Sequence, residues 1–364
     1  LDLISSRSRN IFGKKSYFYL QKAIYSSYLK LLSFKPLKQD QESFLRDTIN
    51  NYIKQSPDMF LITQPARSGG TLTFQLFDSH PDLFVFPYEL NIFKPNRDIL
   101  PKIKNINSDS ALLANNAYLF DELLATFLIR GIFSEYRGGE STFFPFNINV
   151  SYIYVALSLW QKECLNKNIY NFLTYYFCGF FCGLNHQSNS LSLNKSDIKP
   201  FVFFIPSVLN STENLETINS NSKLKVIRIF REPHHWFKSA NRHDPIKYCI
   251  NNASNIYSQY VENIYYINNY PNKIIVKEFD KLISETNSTV RDICKFMNVK
   301  FTDQVLQPTL LGKLVSANSS FSGYGKGLQT SISKRSLPDF ESDIENLIEK
   351  DMIPLYTKLV NDFN

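Results

Sequence analysis

Two short stretches of this sequence carry the residue types that hold an oxyanion. The first is Arg67-Ser68-Gly69-Gly70-Thr71. It follows the apolar run Met59-Phe60-Leu61-Ile62-Thr63 and precedes Leu72, where a helix is expected to begin. A Gly- and Ser-rich loop between a strand and a helix turns successive backbone N–H groups into one concavity, and the helix N-terminus adds partial positive charge. Gly69 and Gly70 let an anion approach the backbone closely. Ser68 and Thr71 supply hydroxyl donors, and Arg67 supplies a permanent charge with a forked donor set. The same residues would also serve as a plain strand–helix turn. No Lys follows the glycines, so the loop lacks the ending of an NTP-binding P-loop.

The second stretch begins where the run Lys225-Val226-Ile227-Arg228-Ile229-Phe230 ends. Arg231 comes next, then Glu232 and Pro233, and Pro is favoured at the first position of a helix. Ser239 lies eight residues after Arg231, about two helical turns along. An Arg at a strand end and a Ser from the following helix can close on one phosphate.

Proton transfer needs a base within reach of the acceptor. Glu89, closing the strand before Leu90-Asn91-Ile92-Phe93, is the first choice, and His186 is a weaker one. His80 is read as orienting a helix end. His234 and His235 flank the second anion stretch, where they either add positive charge or simply face solvent. No spacing of His, Cys, Asp and Glu matches a metal site, so no metal is expected.

These side chains need a scaffold that brings strand ends together. Met59–Thr63, the loop, a helix over Leu72 to Ser79 and a strand over Leu83 to Phe86 form a strand–loop–helix–strand unit, the start of a parallel α/β sheet. Further strands are predicted over Phe201–Ile205, Lys225–Phe230 and Lys273–Val276, the last followed by a helix through Met297. Residues 1–56 read as an N-terminal helical segment and 57–364 as the main domain. Residues 95–200 read as a helical, aromatic insertion on the acceptor side, helical over Asp121–Ile129, Val150–Lys162 and Tyr170–Leu184. Residues 312–336 read as a Gly/Ser-rich loop and Asp339–Val360 as a last helix.

Composition narrows the class. The 364 residues are 43% hydrophobic, enough for a sizeable core. Lys and Arg number 40 against 33 Asp and Glu, a net charge of +7 that favours an anionic partner without choosing between nucleotide, nucleic acid, anionic glycan and membrane, and it is dispersed with no basic block of the nucleic-acid type. The 31 Phe and 21 Tyr serve the core or an acceptor groove. The five cysteines, Cys164, Cys178, Cys182, Cys249 and Cys294, form no paired motif and read as reduced thiols of a cytoplasmic protein. No apolar run is long enough to span a bilayer, and the first ten residues show no signal-peptide core.

The two anion stretches together resemble those of the PAPS-dependent sulfotransferases, where PAPS is 3′-phosphoadenosine-5′-phosphosulfate. Arg67-Ser68-Gly69-Gly70-Thr71 is similar to that family's 5′-phosphosulfate loop, and Arg231 with Ser239 to its 3′-phosphate segment. His80-Pro81-Asp82, Lys277-Glu278-Phe279-Asp280-Lys281-Leu282 and Asn318-Ser319-Ser320-Phe321 look like further landmarks, over about residues 58–335. The resemblance implies a P-loop-like sulfotransferase fold. It implies sulfuryl transfer from PAPS to a hydroxyl or amine acceptor, a carbohydrate or small polar metabolite, leaving 3′,5′-ADP (PAP). It also implies that Arg67 to Leu72, Arg231, Ser239, Lys326 and Gly327 bind the nucleotide, with Arg67 and Glu89 catalytic. The sequence departs from the family at Gly70, where many members carry Thr. It departs again at Phe203-Phe204-Ile205-Pro206, where many carry a Lys. A P-loop-like nucleotide kinase and a non-catalytic protein binding anionic glycan or a membrane surface are the competing readings.

Overall fold

Runs of Ile, Val, Leu and Phe build the centre of the molecule. The computed structural model describes residues 36–90, 149, 151–185, 198–206, 212–268, 272–315, 327–328 and 340–363. Five strands form one sheet: β1 (Met59–Thr63), β2 (Phe84–Glu89), β3 (Phe201–Phe204), β4 (Leu224–Phe230) and β5 (Ile274–Glu278). Their order is β2-β3-β1-β4-β5, and every pairing is parallel. The chain is thus an α/β protein with a central parallel sheet. β1 and β3 are buried at every position, as parallel strands covered on both faces must be.

Alternate residues of β1 serve opposite faces. Met59 and Leu61 join a cluster with helices α1 (Gln39–Gln55), α3 (Ser151–Glu163) and α4 (Ile169–Asn185). Phe60 and Ile62 join a second cluster with α2 (Gly70–Phe77), α8 (Phe279–Ser284) and α9 (Thr286–Met297). The α1 side chain of Tyr52 stacks on Phe201 of β3 at 4.7 Å, and its hydroxyl donates to the Lys199 carbonyl at 3.0 Å. The α3 and α4 helices therefore supply core, whatever the rest of residues 95–200 does. They approach closely at Gly179, where an added Cβ would stand 2.8 Å from the Ile153 Cα.

A third cluster covers the β4–β5 end. It is made by α6 (Pro233–His243), α7 (Ile250–Asn268) and the C-terminal elements: α10 (Ser342–Leu347), a π-helical turn over Ile348–Met352 and α11 (Ile353–Phe363). From α5 (Thr212–Asn219) the chain runs through β4, α6, α7, β5, α8 and α9, with α5 and α7 helices that the sequence does not predict. Two expectations are corrected. The helix after β5 breaks at Glu285, and the last helix is interrupted by the π turn. Asp121–Ile129 and residues 1–35 lie outside the described residues.

Candidate functional site

β1 is the centre of the sheet's geometry. The chain runs from β1 to β2 and β3 on one side and then to β4 on the other, so the strand order reverses between β1 and β4. In such sheets ligands bind outside the C-terminal ends of the strands at the reversal. Thr63, the last residue of β1, is in register with Arg228 of β4, and Phe230 with Glu278 of β5. The loops carrying Arg67, Arg231 and Phe279 therefore leave the same edge of three adjacent strands.

The loop after β1 is tightly made. Gly69 caps α2 at φ 93°, ψ 9°, and a Cβ there would fall 2.0 Å from Cδ2 of Phe279. Arg67 also has a left-handed backbone, φ 75°, an uncommon state for a long side chain and one that functional sites often hold. A Cβ on Gly70 would carry a branched side chain into Phe204, whose ring lies 2.3 Å away. Phe204 in turn stacks on Phe74 of α2 at 5.7 Å. This accounts for Gly where the resembling family often has Thr, because the β3 phenylalanine occupies the volume. The Gly70 N–H donates to Oε1 of Gln64. Ser68 is buried, and its hydroxyl has no hydrogen-bond partner among the described residues. Leu72 sends its side chain into the core, so only its backbone can face an anion.

The second stretch meets the first. Nε of Arg67 donates to Oγ of Ser239 at 3.4 Å. Trp236 Nε1 donates to the Ala66 carbonyl at 3.0 Å, fastening α6 to the β1 loop. The Arg231 guanidinium lies over the Phe279 ring at 4.9 Å, so one phenylalanine packs against both Arg231 and the Gly69 turn. Glu232 caps α6 by accepting from the amides of His234 and His235 at 3.1 and 2.9 Å. Burial pushes the Asp280 carboxyl above its ordinary range, while the charge of Arg231 opposes that shift.

Glu89 ends β2, half-buried, paired with Phe204 across a register shift. One strand, β3, separates it from β1, a lateral distance of about 10 Å at ordinary strand spacing. His80 closes α2: its Nδ1 accepts from the Asp82 amide at 3.0 Å, and its Nε2 bonds the Lys300 carbonyl at 2.8 Å. Burial holds its pKa below the ordinary imidazole value. His234 turns away toward α10, and the His235 ring stands 3.5 Å from Glu232. Gly327, at φ 92°, donates its N–H to the Val315 carbonyl at 2.9 Å. His186, Lys326 and Asn318–Phe321 lie outside the described residues.

Phe279, which the sequence offers only as part of a landmark stretch, and Gln64 shape the loop. Gln64 and Arg228 escaped sequence reasoning. Arg228 is fully buried beneath Tyr260, 5.2 Å from its ring, and burial lowers its pKa to about 10.

No family model matches the chain, and no curated protein matches it. Solved structures do. Among those it resembles are sulfotransferases. The sulfotransferase domain from the curacin biosynthetic pathway is 16% identical, with a TM-score of 0.46, over 81% of this chain and 97% of that one. The sulfotransferase domain from the Synechococcus PCC 7002 olefin synthase is 15% identical, with a TM-score of 0.40, over 80% and 94%. A sulfotransferase from Alicyclobacillus acidocaldarius is 11% identical, with a TM-score of 0.41, over 84% and 95%. No helix among the described residues is long and apolar enough to cross a membrane.

Proposed function

We propose that this chain is an enzyme that moves a sulfuryl group from PAPS to a hydroxyl or amine acceptor and releases 3′,5′-ADP. The observation that carries this reading is the contact between Arg67 and Ser239, which joins two stretches that each carry oxyanion-holding residue types and lie 172 residues apart in sequence. The buried, unpartnered hydroxyl of Ser68 and the close-packed cradle at Gly69 suit a tightly held oxyanion. Sulfuryl transfer is governed by positioning and by stabilising charge on the leaving group, as phosphoryl transfer is.

When bound, the donor supplies an activated sulfur–oxygen bond. The chain's own residues do the rest. Arg67 and the amides opening α2 hold the 5′-phosphate side and stabilise the charge that gathers there, standing in for the Lys that the sequence lacks near Pro206. Arg231, with Ser239, holds the 3′-phosphate. Glu89 takes the acceptor proton as the new sulfur–oxygen bond forms and the bond to the 5′-phosphate breaks. The scheme calls for no metal at the reacting atoms. The acceptor class is a carbohydrate or small polar metabolite, and the five free cysteines accord with a cytoplasmic setting.

Titration calorimetry with 3′,5′-ADP tests the reading. Saturable binding is expected, lost in Arg231→Ala. No heat at millimolar nucleotide overturns it. Mg²⁺-dependent phosphate transfer from ATP would point instead to the kinase reading.

A further inference from the structure

His234 has neighbours that the nucleotide site does not use. It is buried, while its Nε2 faces α10 and the π turn. Nε2 stands 3.1 Å from Oε1 of Glu345 and 3.5 Å from Oε1 of Glu349. One ligand atom from each of the three residues lies within 4.8 Å of the others. On the far side of the ring, Nδ1 is 2.6 Å from Oε1 of Glu232. Three carboxylates thus surround one imidazole, and among the described residues neither Glu345 nor Glu349 forms an ion pair with a Lys or Arg.

We propose that His234, Glu345 and Glu349 form a site for a divalent transition-metal ion, Zn²⁺ in the first instance, with a fourth position open to solvent. Tetrahedral zinc with bonds near 2.0–2.1 Å separates its ligand atoms by about 3.3 Å, and the two His–Glu distances straddle that value. Glu345 and Glu349 are four residues apart and share a helix face. Both are well exposed, so their side chains can close the remaining gap. Glu232 supplies the outer carboxylate that fixes a ligating imidazole and leaves Nε2 for the metal. The π-helical turn begins one residue before Glu349, and such turns recur at functional positions. Imidazole with carboxylates selects zinc, cobalt or nickel over magnesium or calcium.

Such an ion would not touch a reacting atom. It would clamp α10 and the π turn onto the first turn of α6, the helix that carries Ser239. The proposal is independent of the sulfuryl-transfer reading, and its test uses no nucleotide. The full chain, stripped with chelator, is titrated with Co²⁺ and followed by visible absorption, then with Zn²⁺ in competition. One Co²⁺ per chain with the intense bands of tetrahedral geometry is expected, displaced by Zn²⁺. Glu349→Gln, at a well-exposed position, should weaken binding at least tenfold with the melting profile of the metal-free protein preserved. His234→Asn should abolish it. Because the metal must displace the Nε2 proton, affinity should also fall as pH is lowered. Absence of stoichiometric Co²⁺ uptake, or uptake equal in Glu345→Gln, Glu349→Gln and the unaltered chain, overturns the site.

Discussion

Gly69→Ala is the sharpest single perturbation of the site. The new methyl would need an alanine at φ 93°, and it would begin 2.0 Å from Phe279 Cδ2. The left-handed backbone costs about 1–2 kcal/mol for a residue with a Cβ. Forcing the phenylalanine aside costs about 1–3 kcal/mol more. The sum, about 2–5 kcal/mol, is a large share of the roughly 5–15 kcal/mol by which domains are stable. At roughly 1.3 °C per kcal/mol for a chain of 364 residues, the melting midpoint should drop by about 3–7 °C. The displacement also reaches Arg231, whose guanidinium lies over the Phe279 ring. Loss of one charge-assisted hydrogen bond, about 1.5–3 kcal/mol, would weaken 3′,5′-ADP binding about 10- to 100-fold. Calorimetry and urea melts read both effects. Phe279→Ala in the Gly69→Ala background should return the overpacking share, so the pair is non-additive. A midpoint within about 1 °C of the parent, or additivity within about 0.5 kcal/mol, would refute the contact.

Three further outcomes are expected. Glu89→Gln should cut turnover about 10²- to 10⁴-fold with unchanged 3′,5′-ADP affinity, measured by labelled-sulfate transfer; full turnover removes Glu89 as the base. His80 is held neutral in the fold, so its contribution to stability is present above the unfolded value near pH 6.5 and is lost as pH falls through its lower folded value. Urea midpoints of the parent should therefore decline below about pH 6.5 more steeply than those of His80→Gln; parallel curves contradict that. Arg228 is buried, and none of its side-chain nitrogens has a hydrogen-bond partner among the described residues. Arg228→Met should accordingly raise stability by about 1–3 kcal/mol, and a loss would reveal an anion held beside β4.

Strands β1 and β3 are legible because unbroken apolar runs ending in polar loops have few other uses in a chain of this size, and β4 because Lys225 and Arg228 interrupt its apolar run without ending it. Arg67 and Arg231 were legible for the same reason, standing where such runs stop. Helix α7 is not evident in the sequence because its Asn-rich start masks the pattern. Yet Ala253, Tyr257, Tyr260 and Ile264 are buried at helical spacing, so the signal was there. The reason for Gly70 was not legible, since it lies in a phenylalanine across the sheet rather than in the loop. The pairing of His234 with Glu345 joins residues 111 positions apart, which no local pattern encodes. Leu72 illustrates the limit of motif reasoning: the position matches, but the side chain belongs to the core.

The third cluster has a bearing on how the molecule is made. Tyr356 donates to Glu278 at 2.6 Å, one residue before Phe279, and Ile348, Met352 and Leu359 fill the space against β4, β5 and their helices. During synthesis the sheet emerges first with α6 and α7 on its β4–β5 end, and the apolar flank that Ile348, Met352 and Leu359 fill stays uncovered until the stretch around residues 340–363 clears the ribosome. A chaperone that shields that apolar flank while translation continues should therefore raise the yield of native protein.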